Sequence, residues 1–158
     1  MNKVYLSLGS NIGDKKKYIQ IAIDLIEKNI GTIVSGSSVI ETVPWGFVSE
    51  NVFLNCVLEV KTKFSPLQVL RLTQEIEQQL GRMKKRKRTD EPYQDRAMDI
   101  DLILFNDLII ESEDLILPHP LFHQRKFVME PLMEIAPDLI HPVLKKTIKD
   151  IYKNSTDF

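Results

Sequence analysis

One short segment, residues 96–105, most constrains how this chain can fold. Its sequence is Arg-Ala-Met-Asp-Ile-Asp-Leu-Ile-Leu-Phe, in which apolar residues predominate and no glycine or proline intervenes. This composition is typical of a β-strand, where residues two apart point to the same face. Asp99 and Asp101 are therefore expected side by side on one face, with the apolar residues that alternate with them on the other.

The two aspartates suit a divalent metal ion. Two carboxylates on an otherwise apolar strand are costly to desolvate without partners, and their like charges repel each other. A divalent cation relieves both costs, and Mg²⁺ prefers hard oxygen ligands. Arg96 lies three residues before Asp99 and indicates a second anion nearby, such as a phosphate. The spacing alone leaves another interpretation open, in which both aspartates face solvent on an edge strand.

The composition predicts one soluble domain. A chain of 158 residues can bury one full-sized core, and we expect a single domain over residues 1–158. A net charge of −1 provides no global field for nucleic acid. No apolar run is long enough to span a membrane and no signal peptide is evident, so the expected location is the cytoplasm. Cys56 is the single cysteine, which excludes an intrachain disulfide.

Hydrophobic periodicity predicts the order strand, helix, strand, strand, helix, strand. The strands are expected at residues 3–8, 32–41, 53–62 and 96–105, and the helices at residues 15–29 and 65–80. This is the βαββαβ order of the ferredoxin-like α+β fold, an antiparallel sheet with helices packed on one face. A C-terminal extension with short helices near residues 121–134 and 146–153 is expected to cover the other face or to build a site.

Three polar features outside the aspartate strand are candidates for ligand contacts. Phe53 and Asn55 share one face of the third strand and could stack on a heterocycle and hydrogen-bond its edge; the alternative is a half-exposed Phe beside a surface Asn. Gln74 and Glu77 share one face of the second helix, where a solvated face is the plain alternative. His119 lies between two prolines, where a structural role is the more common one.

Five consecutive cations occupy residues 84–88. Such a run could screen a polyphosphate, contact nucleic acid or simply be solvated. No aromatic residue interrupts the run, which weakens an interpretation based on RNA stacking. A basic loop beside a candidate phosphate site suggests a lid over that site.

Short motifs recur along nearly the whole chain in an order typical of one enzyme family. They are Leu8-Gly9-Ser10-Asn11, Glu41-Thr42-Val43-Pro44-Trp45-Gly46, Phe53-Leu54-Asn55, Glu77-x-x-x-Gly81-Arg82, Arg96-x-x-Asp99-Ile100-Asp101-Leu102, Pro118-His119-Pro120, Arg125-x-Phe127 and Pro131-Leu132-x-Glu134-Ile135-Ala136-Pro137. With these motifs the chain resembles the 6-hydroxymethyl-7,8-dihydropterin pyrophosphokinases, folate-pathway enzymes that transfer pyrophosphate from ATP to a pterin alcohol.

The resemblance implies a role for each motif. Two Mg²⁺ ions on Asp99 and Asp101 would bridge the phosphates of the co-substrate ATP. The nucleotide would contact Gln74, Glu77, Lys84, Arg96, Leu102, His119 and Arg125. The pterin would lie against Phe53, Asn55 and Phe127, with Thr42, Val43, Pro44 and Trp45 completing its pocket. Arg82 and Arg96 would reach the reacting phosphates and join the two aspartates as catalytic residues.

The basic loop departs from the commonest family pattern. Tyr93-Gln94-Asp95 stands where Trp-Gly-Pro is frequent, and Lys84 stands where Arg is frequent. Lysine keeps the charge but lacks the bidentate fork of arginine. In the family mechanism, closure of residues 82–95 would exclude water from the site, and no residue stands out as a general base.

Two other functional classes remain as alternatives. A non-catalytic ferredoxin-like ligand-binding module explains the fold but needs neither the two aspartates nor the two arginines together. An RNA-binding domain conflicts with the net charge and with two carboxylates on a sheet face. Neither class predicts Mg²⁺-dependent ATP binding. We expect a monomer that acts on ATP and 6-hydroxymethyl-7,8-dihydropterin, without nucleic acid or membrane partners.

Overall fold

The computed structural model describes residues 1–42, 52–81 and 97–155, and it contains the predicted strands and helices together with additional short strands. The strands are β1 (Asn2–Ser10), β2 (Thr32–Gly36), β3 (Ile40–Thr42), β4 (Phe53–Thr62), β5 (Asp99–Phe105), β6 (Ile110–Glu111) and β7 (Ile116–Leu117). The helices are α1 (Lys15–Asn29), α2 (Pro66–Gln79), α3 (Lys126–Ile135) and α4 (Ile148–Lys153), with a 3₁₀ turn at Phe122–Gln124.

The main sheet has the ferredoxin-like arrangement. Its strand order is β2-β4-β1-β5, with β3 also paired to β4. Every pairing is antiparallel. The predicted α+β class and βαββαβ order are therefore confirmed. Strands β6 and β7 form a separate two-stranded sheet that the periodicity did not predict.

The single strand predicted over residues 32–41 is wrong, because the segment is divided into β2 and β3. Ser37 lies between them; its backbone N–H donates to the Val57 carbonyl, and its hydroxyl accepts from the Val57 N–H, each over 2.9 Å. Serine side chains compete with backbone partners in this way and interrupt a ladder. β2 consequently pairs with the far half of β4, and β3 pairs with its first three residues.

The helix boundaries follow local capping chemistry. α1 begins and ends where predicted, and the Asp14 carboxylate accepts a hydrogen bond from Lys17 N at its start. Ser65 caps α2 in a reciprocal capping box with Gln68, and Pro66 occupies the first turn. These contacts satisfy N–H groups that have no partner within the helix.

Two apolar layers hold the sheet between helices. The first layer lies under α1 and α2 and includes Leu6, Leu8 and Ile100; the second lies under α3 and α4 and includes Tyr5 and Val57. The C-terminal extension therefore covers the second face of the sheet, one of the two roles expected for it. None of the helices in the described part of the chain has both the length and the apolar character needed to span a bilayer.

A buried histidine, His141, packs against the second apolar layer. The His141 ring is 3% exposed and stacks on Phe122, with 5.1 Å between ring centroids. Its Nδ1 accepts hydrogen bonds from the backbone N–H groups of Val143 and Leu144, over 3.2 and 3.1 Å. Burial, reinforced by the neighbouring His123, lowers the pKa of His141 from 6.5 to about 4.

We predict that the free energy of unfolding falls as the pH is lowered from about 6.5 towards 4. In this window unfolded His141 binds a proton, whereas the folded ring stays neutral because its pKa is lowered to about 4. The measurement is urea unfolding at pH 7.5 and pH 5.

The control is His141→Asn, which keeps a side-chain acceptor and does not titrate. His119 and His123 titrate in both proteins, so a smaller loss of stability in the variant isolates the contribution of His141. Equal losses in the two proteins would contradict the prediction.

Candidate active site

Cross-strand pairing brings two predicted site residues, Asp99 and Asn55, into one row with Gly9 at the end of the sheet. Gly9 pairs with Asp99 of β5 on one side and with Asn55 of β4 on the other. Directly paired residues of antiparallel strands point to the same face. A carboxylate and an amide therefore flank Gly9 on one surface, with no side chain between them. In the next row, Ser7 pairs with Asp101.

Asp99 and Asp101 occupy the predicted face. Both are half-buried. Ile100, which lies between them, and Leu102, which follows Asp101, are buried in the first apolar layer. Their strand is the last in the described sheet, as the alternative interpretation supposed, but neither aspartate is fully exposed.

The donor set at this position fits Mg²⁺. No group of three or more His, Cys, Asp or Glu residues that could hold a metal occurs within residues 1–42, 52–81 and 97–155. Mg²⁺ is commonly held by one or two carboxylates together with substrate phosphates, so a pair of aspartates is sufficient when a nucleotide completes the coordination.

Asn55 is held in place by its neighbours. It is 3% exposed, so the surface-Asn alternative is wrong, and its Nδ2 donates to Thr42 Oγ1 over 2.6 Å. A Cβ placed on Gly9 would lie 2.9 Å from Asn55 Oδ1 and 3.7 Å from the Phe53 ring. The first strand, predicted over residues 3–8, extends to Ser10, so Gly9 is the last residue but one of β1. Glycine inside a strand marks a close approach of this kind.

Glu77 is buried whereas Gln74 is exposed. Glu77 is 3% exposed, and its Oε2 accepts a hydrogen bond from the backbone N–H of Ile100 over 2.8 Å. The solvated-face alternative is therefore wrong for Glu77. Gln74, one turn earlier on α2, is exposed as that alternative supposed.

His119 lies close enough to Arg125 and Asp99 for their charges to affect it. Its backbone N–H donates to Ile103 O over 2.9 Å, and Leu121 N donates to its Nδ1 over 3.3 Å. Burial, followed by the Arg125 charge, lowers the pKa of His119 to about 4, and the Asp99 charge opposes them. The ring is therefore neutral at pH 7, and because Nδ1 accepts a hydrogen bond, its proton is on Nε2.

Three predicted residues remain to be placed. Phe127 lies in the first turn of α3, half-buried, with the Arg125 guanidinium carbon 5.7 Å from its ring centroid. The Leu102 side chain is 5% exposed in the first apolar layer, so only its backbone could contact a nucleotide. Phe53, at the start of β4, pairs with Thr42 and is half-buried.

Six predicted site residues lie outside the described residues. They are Val43, Pro44, Trp45, Arg82, Lys84 and Arg96. The loop 82–95, expected to close over the site, lies outside them as well.

Comparison with known proteins identifies the family. The model of the 7,8-dihydro-6-hydroxymethylpterin-pyrophosphokinase (HPPK) family matches residues 5–137. The chain belongs to this family. The 2-amino-4-hydroxy-6-hydroxymethyldihydropteridine pyrophosphokinase of Aquifex aeolicus is 38% identical over 156 residues. These residues are 99% of this chain and 94% of the relative.

Two longer proteins contain a similar domain. The folic acid synthesis protein fol1 of Schizosaccharomyces pombe is 38% identical over 151 residues, which cover 94% of this chain and 20% of that protein. The crystal structure of wild-type Plasmodium falciparum HPPK-DHPS superposes with a TM-score of 0.77 at 20% identity. The match covers 96% of this chain and 44% of the Plasmodium chain, and it shows a shared fold.

We predict that Gly9→Ala moves the Asn55 side chain and lowers the free energy of unfolding by about 1–3 kcal/mol, the usual cost of overpacking. The added methyl group would lie 2.9 Å from Asn55 Oδ1. The measurements are the NMR signals of the Asn55 side-chain amide and urea unfolding.

Gly36→Ala is the matched control. Its Cβ would meet only the end of the flexible Leu58 side chain, at 3.1 Å, away from Asn55. The Asn55 amide signals should stay unchanged in this variant. Unchanged signals in Gly9→Ala would contradict the close packing at Gly9.

Proposed function

We propose that this protein transfers pyrophosphate from ATP to 6-hydroxymethyl-7,8-dihydropterin in folate biosynthesis, giving AMP and the pterin diphosphate. The observation that carries this proposal is the row formed by Asp99, Gly9 and Asn55. A carboxylate suited to metal-bound phosphate and an amide suited to a heterocycle flank a residue without a side chain. The two substrates of a group transfer need this proximity.

The Asn55 side supports pterin binding. Because Asn55 Nδ2 donates to Thr42 Oγ1, its Oδ1 is oriented as an acceptor for an N–H group of the ring. Phe53 and Phe127 supply flat apolar surfaces on which the ring can stack. Val43, Pro44 and Trp45 complete the pocket in this proposal.

The Asp99 side supports binding of the triphosphate. Asp99 and Asp101 would hold two Mg²⁺ ions, which neutralise phosphate charge and orient the reacting groups when bound. Neutral His119 offers its Nε2–H, and Arg125 offers a permanent cation. The nucleotide would also contact Gln74, Glu77, Lys84, Arg96 and the backbone of Leu102.

The reaction requires positioning more than covalent chemistry. The pterin hydroxymethyl oxygen attacks the β-phosphorus of ATP and forms a new O–P bond. The bond from the β-phosphorus to the oxygen that bridges the α- and β-phosphates breaks, AMP departs, and the hydroxyl proton is released. Arg82 and Arg96 would stabilise the charge on the transferring group. Closure of residues 82–95 would keep water from competing with the alcohol.

The proposal places this activity in one domain, residues 1–158, acting as a monomer in the cytoplasm. Its substrates are small molecules, and it needs no nucleic acid or membrane partner. Sedimentation velocity with and without both substrates tests the oligomeric state.

Incubation with ATP, Mg²⁺ and 6-hydroxymethyl-7,8-dihydropterin, followed by separation of the nucleotides, tests the function. AMP and the pterin diphosphate should form one for one, and only with Mg²⁺. ADP instead of AMP would mean attack at the γ-phosphorus and would refute the proposed reaction. No turnover by the folded protein would favour a non-catalytic binding module.

We predict that Asp99→Asn and Asp101→Asn each lower kcat by about 10²-fold or more, because metal-based charge stabilisation is worth several kcal/mol. The fold should survive, since both side chains lie outside the two apolar layers. Asp107→Asn, an exposed acid beyond the end of β5, is the control and should retain wild-type kcat. Wild-type rates in either site variant would refute the metal-binding role.

We predict that Phe127→Ala weakens pterin binding about tenfold while ATP binding changes little, because an aromatic contact and its buried area are both lost. Isothermal titration with each ligand separately makes the comparison. A melting curve checks that α3 still packs on the second apolar layer. Equal losses for both ligands would argue against stacking of the pterin on Phe127.

A further inference from the structure

We propose that Glu77 is a positioning residue that sets the geometry of Asp99 and Asp101 by holding the backbone of β5 between them. The proposal rests on the proposed function in one respect only: that the two aspartates bind Mg²⁺ together with the nucleotide. Glu77 Oε2 accepts the backbone N–H of Ile100 over 2.8 Å. Ile100 lies between the two aspartates in the chain. This hydrogen bond therefore holds the backbone from which both aspartate side chains project.

The burial of Glu77 makes a partner for its carboxylate necessary. The side chain is 3% exposed on the face of α2 that also buries Val69, Thr73 and Ile76. A carboxylate in such surroundings is costly unless it is paired. The backbone N–H of Ile100 supplies one such partner.

The position of β5 explains why such support is needed. β5 is the last strand on its side of the described sheet, and β1 is its only sheet neighbour there. An edge strand presents backbone N–H groups that no neighbouring strand can accept. Glu77 accepts one of these from α2, which packs against β5. The edge of the sheet is therefore fixed where the two aspartates project.

Glu77 approaches β5 from the opposite side to the aspartates. α2 covers the first apolar layer, which contains Ile100 and Leu102, whereas Asp99 and Asp101 point to the other face. Glu77 therefore supports the strand that carries the candidate metal ligands and is not aligned as a third ligand. Partners that orient ligands typically change metal affinity or activity by about 10–100-fold when removed.

The proposal separates hydrogen bonding from charge, which gives a direct test. Gln can place an amide oxygen where Glu77 Oε2 accepts from Ile100 N, but it carries no charge. Met fills a similar volume and offers no comparable acceptor. A direct ionic role toward the nucleotide would require the charge, so both substitutions would then be equally damaging.

The first measurement is hydrogen exchange of the Ile100 amide in protein free of metal and substrates. Glu77→Met should accelerate this exchange about tenfold or more, because the Ile100 N–H loses its acceptor. Glu77→Gln should keep most of the protection. Glu75→Ala, an exposed acid two residues earlier on α2, is the matched control and should exchange like wild type.

The second measurement is the Mg²⁺ dependence of turnover with saturating ATP and pterin. Glu77→Met should raise the half-saturating Mg²⁺ concentration about tenfold, in the range usual for residues that orient metal ligands. Glu77→Gln, which keeps a side-chain acceptor, should raise this concentration much less than Glu77→Met does. If Glu77→Met does not fold, Glu77→Ala takes its place in both measurements.

The outcomes distinguish this proposal from the proposed function. Unchanged Ile100 exchange in Glu77→Met, or equal damage by Met and Gln, would overturn the positioning role. Absence of pyrophosphoryl transfer by the wild-type protein would remove the proposed function, while the exchange measurement, made without substrates, would still decide whether Glu77 holds β5.

Discussion

The register of β1 between β4 and β5 is the constraint on which the rest of the structure depends. Side chains alternate along a strand, so a slip of one residue would exchange the two faces of the sheet. Leu6 and Leu8 fix the register from one side through the first apolar layer, and Tyr5 fixes it from the other through the second. With that register, Gly9 lies between Asp99 and Asn55.

The candidate site lies where the second apolar layer stops. Val57 and Ile103 are buried under the C-terminal helices, whereas the rows beyond them carry Asp101 and Asp99 on the same face. α3 and α4 therefore serve two purposes: they bury one half of that face and leave its polar end to ligands. The half-burial of both aspartates follows from this position at the boundary.

Features set by local sequence were predictable, and features set by distant contacts were not. The common face of Asp99 and Asp101 follows from a period of two, and the start of α2 follows from the capping chemistry of Ser65. The division of the second strand depends on a hydrogen bond between residues 20 apart in the chain, Val57 and Ser37. The burial of Glu77 depends on the packing of α2 against β5, which no helical pattern contains.

The charges of the site indicate that a bound nucleotide needs a divalent cation. Asp99 and Asp101 bring two carboxylates to the same end of β5, while burial lowers the pKa of His119 to about 4 and keeps it neutral at pH 7. Among these residues and Arg125, only the arginine is cationic at that pH. Asp99 and Asp101 would repel a triphosphate that approached them directly, so in the proposed function a divalent cation accompanies the nucleotide at this position. Protonation of His119 could not replace that cation, because its pKa lies well below neutral pH.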